Sequence, residues 1–529
     1  MSDKLLLLGD EALALGAINA GLSGVYAYPG TPSTEITEYI QGHPLARERK
    51  IHSRWSTNEK TAMEEALGMS FAGKRAMVCM KHVGMNVCAD AFVNSAITGV
   101  NGGLIVVAAD DPSMHSSQNE QDSRFYGKFA MVPIFEPSDQ QECYDMASAA
   151  FELSEKLKLP VLMRLVTRVS HSRASVVTGT ARNQNNLSPD ADSRHWVLLP
   201  GIARRQYASL IEKQPQMASM AETSPFNRYE PSSSRTGVIA CGIAYNYVME
   251  AGAGNVLKVS QYPLPASAVR KMAETCDRIL VVEDGQPVVE QEVRALLGAD
   301  FKVDGRLTGV LPRTGELTPD SVAAALGYGA SPVYKASEAV APRPPQLCNG
   351  CSHRDVYAAL VKVLEDYPES RVFGDIGCYT LGALPPFKAL DSTVDMGASI
   401  TMAKGASDAG VWPAVAVIGD STFTHSGMTG LLDAVNENAD ITVIISDNLT
   451  TAMTGGQDSA GTNKFEQICL GLGVSPEHLK VVVPIPKNMA EITETIRREI
   501  EYHGISVIIP RRECMNTLNR KLRKQKAGK

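Results

Sequence analysis

The sequence predicts a multi-domain α/β protein in which two domains are built on parallel sheets. Three observations lead there. At 529 residues the chain is too long for one ordinary core, so several domains are required. Short apolar runs such as GVYAYPG, KRAMVCM and GGLIVVAADD alternate with helix-length patterns such as Ser56 to Phe71, the mark of strand–helix–strand crossovers. Acids and glycines follow the apolar runs, at the strand ends where open parallel sheets bind ligands.

In chain order, four leucines at residues 5–8 flanked by acids fit a short buried strand and then a helix, not a secretory segment. No stretch approaches the roughly 18 apolar residues of a membrane span, so a cytoplasmic protein without a membrane partner is expected. The first block runs over 1–180. Residues 181–235, rich in Ser, Asn, Pro and charges, read as a linker. A smaller α/β block follows at 236–330, with TGVIACGIAY and CDRILVVEDG as strands; 331–346 is a second linker. The block at 347–515 repeats the first design with SRVFGDIGC, PAVAVIGDS, DITVIISDN and HGISVIIPRR. A basic tail, 516–529, reads as a solvated terminus, with docking to an acidic partner as the sharper alternative. With 51 Lys+Arg against 58 Asp+Glu and a net charge of −7, a general nucleic-acid surface is not indicated. Ten cysteines without a signal segment argue against a disulfide framework and leave thiol, metal or cluster roles open.

The most specific chemistry lies in VIGDSTFTHSG and IISDNLTTAMTGG. Mg²⁺ takes about six oxygens, a few from protein and the rest from phosphate and water. Asp420 at one strand end offers a carboxylate, Asn448 at a neighbouring strand end an amide oxygen, and Thr450 a backbone carbonyl. Gly419 permits close backbone approach, while Ser421 and Thr422 at a helix start offer hydroxyls and free N–H groups to phosphate. Either segment alone is ordinary turn chemistry. The pair resembles the Gly-Asp-Gly…Asn-Asn signature of thiamine diphosphate (TPP) enzymes, with Ser421 and Asp447 as departures that remove no metal ligand. GDIGCYTLG and DMGASI add turns suited to cradling that cofactor, with Gly377, Tyr379, Met396 and Gly397 as its candidate contacts.

Further motifs, YPGTPSTEI, STNEKTAMEEALGMSFAG, MKHVGMN, ADDPSMHSSQNEQDSR and CNGCSHR, extend the likeness in order over nearly the whole chain. Together they resemble the large subunits of the indolepyruvate:ferredoxin oxidoreductase family. The resemblance implies a pyrimidine-binding-type domain at 1–180, a transketolase C-terminal-like domain at 236–330 and a diphosphate- and Mg²⁺-binding domain at 347–515. It implies Glu59 as the acid that activates the cofactor, although by itself this residue reads as a first-turn acid complementing the helix dipole behind a Ser56/Thr57 cap. Thr31 matches the hydroxyl facing the substrate oxygen, and His115, Lys81, His82, Gln118 and Asn119 are candidate substrate contacts. Arg124 is a candidate partner of the substrate carboxylate, for which a guanidinium fork is suited.

Cys348, Cys351, Cys378 and Cys514 match cysteines that hold one [4Fe–4S] cluster in related enzymes; half of a zinc site including His353, or plain thiols, are the alternatives. The other six cysteines read as packing residues. The family usually continues past this point into a ferredoxin-like domain, but fifteen residues without cysteine follow Cys514. Electrons are therefore expected to leave to a small β subunit, a ferredoxin or another redox protein within a hetero-oligomer. The implied reaction converts an aryl pyruvate and coenzyme A to an aryl acetyl-CoA. A non-oxidative decarboxylase or carboligase, and a non-catalytic TPP-binding assembly subunit, are the alternatives.

Overall fold

The structure is a computed structural model that describes residues 4–328, 337–341 and 344–527 and divides into two compact units, 1–334 and 335–529. Each is a stack of helices on parallel-rich sheet.

The first unit holds a seven-stranded sheet. Its strands lie in the order Gln261–Tyr262, Ile134–Phe135, Val161–Val166, Leu104–Asp110, Ala76–Lys81, Gly24–Ala27 and His52–Trp55. All pairings are parallel except the one made by the edge strand Gln261–Tyr262. Central strands such as Leu104–Asp110 are buried along their whole length, as helices on both faces require. From Gly24–Ala27 the chain goes outward to His52–Trp55 and then returns to the other side at Ala76–Lys81. The strand order thus reverses between Gly24–Ala27 and Ala76–Lys81, and a crevice opens beyond their ends.

A five-stranded sheet in the same unit orders Lys302–Asp304, Arg278–Val282, Thr236–Cys241, Val256–Val259 and Arg228–Glu230, the last antiparallel. The expected N-terminal strand exists as Lys4–Leu8, paired with Arg173–Val177. It is less buried than expected, with Leu6 66% exposed, because a two-stranded ribbon is covered on one face only.

Residues 181–235 are not the structureless linker that their composition suggests. They contain a 23-residue helix, Pro200–Glu222, and the edge strand Arg228–Glu230. The helix buries only Leu210, Met217 and Ala221, so its apolar stripe is too thin to stand out from the polar background. The blocks 1–180 and 236–330 are also not separate, since Gln261–Tyr262 completes the edge of the first sheet. Of the linker expected at 331–346, residues 331–336 and 342–343 lie outside the described residues. The basic tail is helical over Met515–Ala527, with Arg520 packed against Gly456 and Lys521 paired to Glu513.

In the second unit six strands, all parallel, lie in the order Ser392–Thr393, Arg371–Gly374, Ala414–Gly419, Ile441–Ser446, Ser506–Pro510 and Leu479–Val482. The reversal recurs here. Arg371–Gly374 leads outward to Ser392–Thr393, and the chain re-enters on the other side at Ala414–Gly419. Among the described residues no helix is long and apolar enough to cross a membrane.

A buried ion network ties the first unit together. Arg124 and Arg164, both fully buried, meet Asp110, Asp122, Glu136 and Glu283. Arg164 Nε lies 2.6 Å from Asp110 Oδ2, and Arg124 Nη1 lies 2.8 Å from Glu283 Oε2. Removing one cation would leave carboxylates facing one another without solvent. Arg164→Met should therefore destabilise the first unit by about 3–5 kcal/mol in urea unfolding. A loss no larger than about 1 kcal/mol, that of a surface pair, would show that protonation of the acids takes the place of the arginine.

Candidate cofactor site

In the second unit the strand Ala414–Gly419 ends at Gly419, and Asp420 opens the next helical turn. Asp420 is almost fully buried, with Oδ1 accepting from the Ser421 N–H (2.7 Å) and Oδ2 from the Thr450 N–H (3.1 Å). Burial, and then the neighbouring Asp447 carboxylate, push its pKa up to about 7. Asn448 follows the adjacent strand Ile441–Ser446, and its side-chain Oδ1 is buried with no hydrogen-bond donor. Between Asn448 and Thr450, Leu449 adopts φ +62°, a left-handed conformation that is costly for a branched side chain. An acid and an orphaned amide oxygen thus stand at neighbouring strand ends, linked through the Thr450 N–H. That donor set suits a hard divalent cation.

The cradle is built from glycine and aromatic surface. A Cβ at Gly377 or Gly419 would lie 2.4 or 2.5 Å from the Tyr379 ring, so this buried ring packs on bare backbone at both positions. Gly397 has φ +96° and presses on Ser426, while Met396 beside it is half-buried. Thr422 Oγ1 donates to the Ile376 carbonyl (3.1 Å), bridging the two strand ends across the reversal. Phe423–Gly427 forms a π-helical turn just beyond, an irregularity frequent at functional sites. These residues fit a diphosphate and its metal.

Sequence reasoning missed two residues here, Asp375 and Arg511, and named a third, His353, only as a zinc-ligand alternative. Asp375 follows Arg371–Gly374 as Asp420 follows its strand, so the same Gly-Asp signal could have found it. It is fully buried, accepts from the Gly397 N–H (3.1 Å) and the Ser399 hydroxyl (2.8 Å), and is pushed up to about 8 by burial. His353 is buried with Nε2 3.5 Å from the Asn448 amide nitrogen, and burial lowers its pKa to about 4. Arg511 donates to Asp447 Oδ2 (2.6 Å) and pairs with Glu466, which neutralises the acid standing where the TPP signature has asparagine.

Cys348, Cys351, Cys378 and Cys514 line one cavity together with His353 and Asn448. Burial first, and then the charges of Cys351, Cys514 and Cys348, push the Cys378 thiol up to about 12. A bound metal or cluster would reverse that shift by favouring the ligating thiolate form. Among the described residues no three of these cysteines bring ligand atoms within 4.8 Å of one another. A tetrahedral zinc ion would need sulfurs closer than that, so the cysteines are not arranged for one. The Cys514 N–H also donates to the Asn448 carbonyl (3.1 Å). The remaining six cysteines are buried.

In the first unit Glu59 opens the helix Glu59–Phe71 and is 5% exposed; Asn58, not Ser56 or Thr57, caps the helix by accepting from the Thr61 N–H. Gly84 lies against it, where a Cβ would come within 2.7 Å of Glu59 Oε1. Thr31 is half-buried in the loop after Gly24–Ala27, and Gly30 beside it packs on Lys81 at the end of Ala76–Lys81. Lys81 Nζ donates to the Ser116 carbonyl (2.6 Å), with its pKa lowered to about 8 by burial. His82 is buried, its Nε2 3.2 Å from Asn119 Oδ1, while Gln118 is exposed. His115 is half-exposed and faces Glu316 (3.3 Å).

Arg124 has a different place from the one expected. It is fully buried and saturated by Asp122, Glu283, the Tyr262 hydroxyl and the carbonyls of Asp284 and Gln286, which leaves no fork for a substrate carboxylate.

Two family models match the chain. That of the pyruvate flavodoxin/ferredoxin oxidoreductase thiamine diphosphate-binding domain covers residues 15–209, and that of the C-terminal TPP-binding domain of thiamine pyrophosphate enzymes covers 375–509. Indolepyruvate oxidoreductase subunit IorA of Archaeoglobus fulgidus is 38% identical over 560 residues, spanning 99% of this chain and 88% of the relative. The chain belongs to the IorA family of indolepyruvate oxidoreductase subunits. The IorA subunit of Methanothermobacter thermautotrophicus is 40% identical over 544 residues, spanning 97% of this chain and 87% of the relative. A solved 2-oxoglutarate:ferredoxin oxidoreductase from Magnetococcus marinus, with 2-oxoglutarate, coenzyme A and succinyl-CoA bound, shares the fold. It aligns at a TM-score of 0.51 and 16% identity, over 61% of this chain and 65% of that one. As a member of the IorA family the chain is a TPP-dependent 2-oxoacid oxidoreductase.

Asp420→Asn should weaken Mg²⁺-dependent TPP binding in calorimetry by more than about 100-fold, beyond the usual cost of an outer-sphere partner. Gly419→Ala, which drives a Cβ into Tyr379, should weaken it too with Asp420 intact. Unchanged affinity in both would place the diphosphate elsewhere.

Proposed function

We propose that this chain is the large subunit of an enzyme that oxidatively decarboxylates aryl pyruvates such as indolepyruvate or phenylpyruvate. The products are an aryl acetyl-CoA, CO₂ and two electrons, which pass to a ferredoxin or a separate redox subunit. The observation that carries this reading is the cavity shared by Asn448 and the four cysteines, with the Cys514 N–H bonded to the Asn448 carbonyl. A metal-binding position and a thiolate set on one wall are what stepwise electron removal needs, and a non-oxidative decarboxylase needs no such set.

Asp420, the Asn448 amide oxygen and the Thr450 carbonyl would hold Mg²⁺, and through it the TPP diphosphate; Gly377, Tyr379, Met396, Gly397, Ser421 and Thr422 would line its bed. Cys348, Cys351, Cys378 and Cys514 would hold one [4Fe–4S] cluster. Bound TPP supplies a carbon nucleophile for the 2-oxoacid carbonyl and an electron sink for decarboxylation. Glu59 would hold the proton exchanged with the aminopyrimidine, a task suited to a buried helix-terminal carboxylate. Thr31 would orient the substrate oxygen, with Lys81, His82 and Asn119 setting the charge of the crevice around it. Gln118 and His115, which are more exposed, would meet the substrate from the solvent side. The IorA relatives are named as subunits, which favours a small catalytic partner and a hetero-oligomer.

The test is anaerobic purification with the small subunit and an assay of indolepyruvate- and CoA-dependent viologen reduction alongside iron content. Cys378→Ser should remove iron and acceptor reduction while TPP still binds. Glu59→Gln should lower kcat by about 10²–10⁴-fold. Acceptor-independent turnover by iron-free protein would establish the non-oxidative decarboxylase instead, and full activity in Glu59→Gln would establish an assembly subunit.

A further inference from the structure

Three helix ends converge in the first unit, away from the residues assigned above. Asp10 lies in the first turn of the helix Gly9–Asn19, Glu35 in the first turn of Thr34–Gly42, and His171 ends Thr167–His171. Among the described residues these three offer one group of ligand atoms, two carboxylate oxygens and an imidazole nitrogen, all within 4.8 Å of one another. His171 Nε2 is 3.5 Å from Glu35 Oε2.

Asp10 makes this more than a surface pair. Its side chain is fully buried, and neither carboxylate oxygen has a hydrogen-bond partner. The buried Ser170 hydroxyl lies beside Asp10 and favours its charged form, but the two fall short of a hydrogen bond. A carboxylate taken out of water without donors is costly, and nearly all buried polar atoms are paired for that reason. The Glu35–His171 pair cannot meet the need, because the imidazole is already directed at Glu35. Glu35 and His171 are about one-third exposed, although Glu35 Oε2 is itself buried, so the group has a buried floor and borders solvent on one side. A cation entering there would satisfy Asp10, keep water on its outer side and link three helices.

We propose that Asp10, Glu35 and His171 bind a divalent metal ion. Two carboxylates and one imidazole suit Mn²⁺, Fe²⁺ or Zn²⁺ better than a thiophilic ion, and the open face leaves room for water ligands. The site is a structural staple. It ties the N-terminal helix to the helix that follows the Thr31 loop, since Glu35 lies four residues beyond Thr31.

The test uses chelator-treated full-length protein carrying Asp420→Asn and no TPP, so that the carboxylate of the second unit does not report. Mn²⁺ binding is followed by electron paramagnetic resonance. One equivalent should bind, raise the melting temperature and be displaced by Zn²⁺, which stands higher in the affinity order. His171→Ala, at a partly exposed position where folding is tolerant, should weaken Mn²⁺ by at least about tenfold, as the loss of even an outer-sphere partner does. Glu35→Gln should act the same way. No bound Mn²⁺ in the parent, or equal binding and equal thermal shift in parent and both variants, overturns the proposal.

Discussion

A carboxylate removed from water at a strand end has to be given a compensating charge, and the second unit is arranged around that requirement. Asp420 is held by two backbone N–H groups, but these do not cancel the cost of its burial, and its pKa stays raised. Two residues along the neighbouring strand end, Asp447 and Asn448, show both solutions. Arg511 neutralises Asp447 from within the protein, whereas the Asn448 oxygen is left without a donor. The position that lacks an internal partner is the one a cation would fill.

This arrangement follows from topology. Parallel strands connect by right-handed crossovers, so a sheet that grows first to one side and then to the other must open a gap where it reverses. Both units reverse, between Gly24–Ala27 and Ala76–Lys81 in one and between Arg371–Gly374 and Ala414–Gly419 in the other. In the first unit the gap gathers the Thr31 loop beside Lys81. In the second it gathers Asp375, Gly377 and Asp420. The first unit meets its largest electrostatic cost differently, by enclosing Arg124 and Arg164 among four acids. Such a network contributes little net stability over an apolar core, yet it is sensitive to the loss of any one member.

The parallel sheets were legible because fully buried strands leave unbroken apolar runs, and Asp420 and Asn448 because each directly follows such a run. Asp375 carries the same Gly-Asp signal and went unread, since one acid at a strand end is ordinary turn chemistry until a neighbour shares its burial. The helix Pro200–Glu222 was hidden by a three-residue apolar stripe in polar sequence. Arg124 looked free because a guanidinium carries no mark of its burial; its partners Glu283 and Asp284 come from more than 150 residues away.

The sequence by itself determined the strand-end chemistry and the family, because both are written in consecutive residues whose local conformation is set by glycine, apolar runs and helix starts. Only the tertiary structure decided which groups share a cavity and which are satisfied. It brought four cysteines to the wall that holds Asn448, gave Asp447 its arginine, and left Asp10 buried without a completed hydrogen bond. Desolvation is the physical reason. Its cost depends on everything packed around a group, and most of those neighbours are far away along the chain.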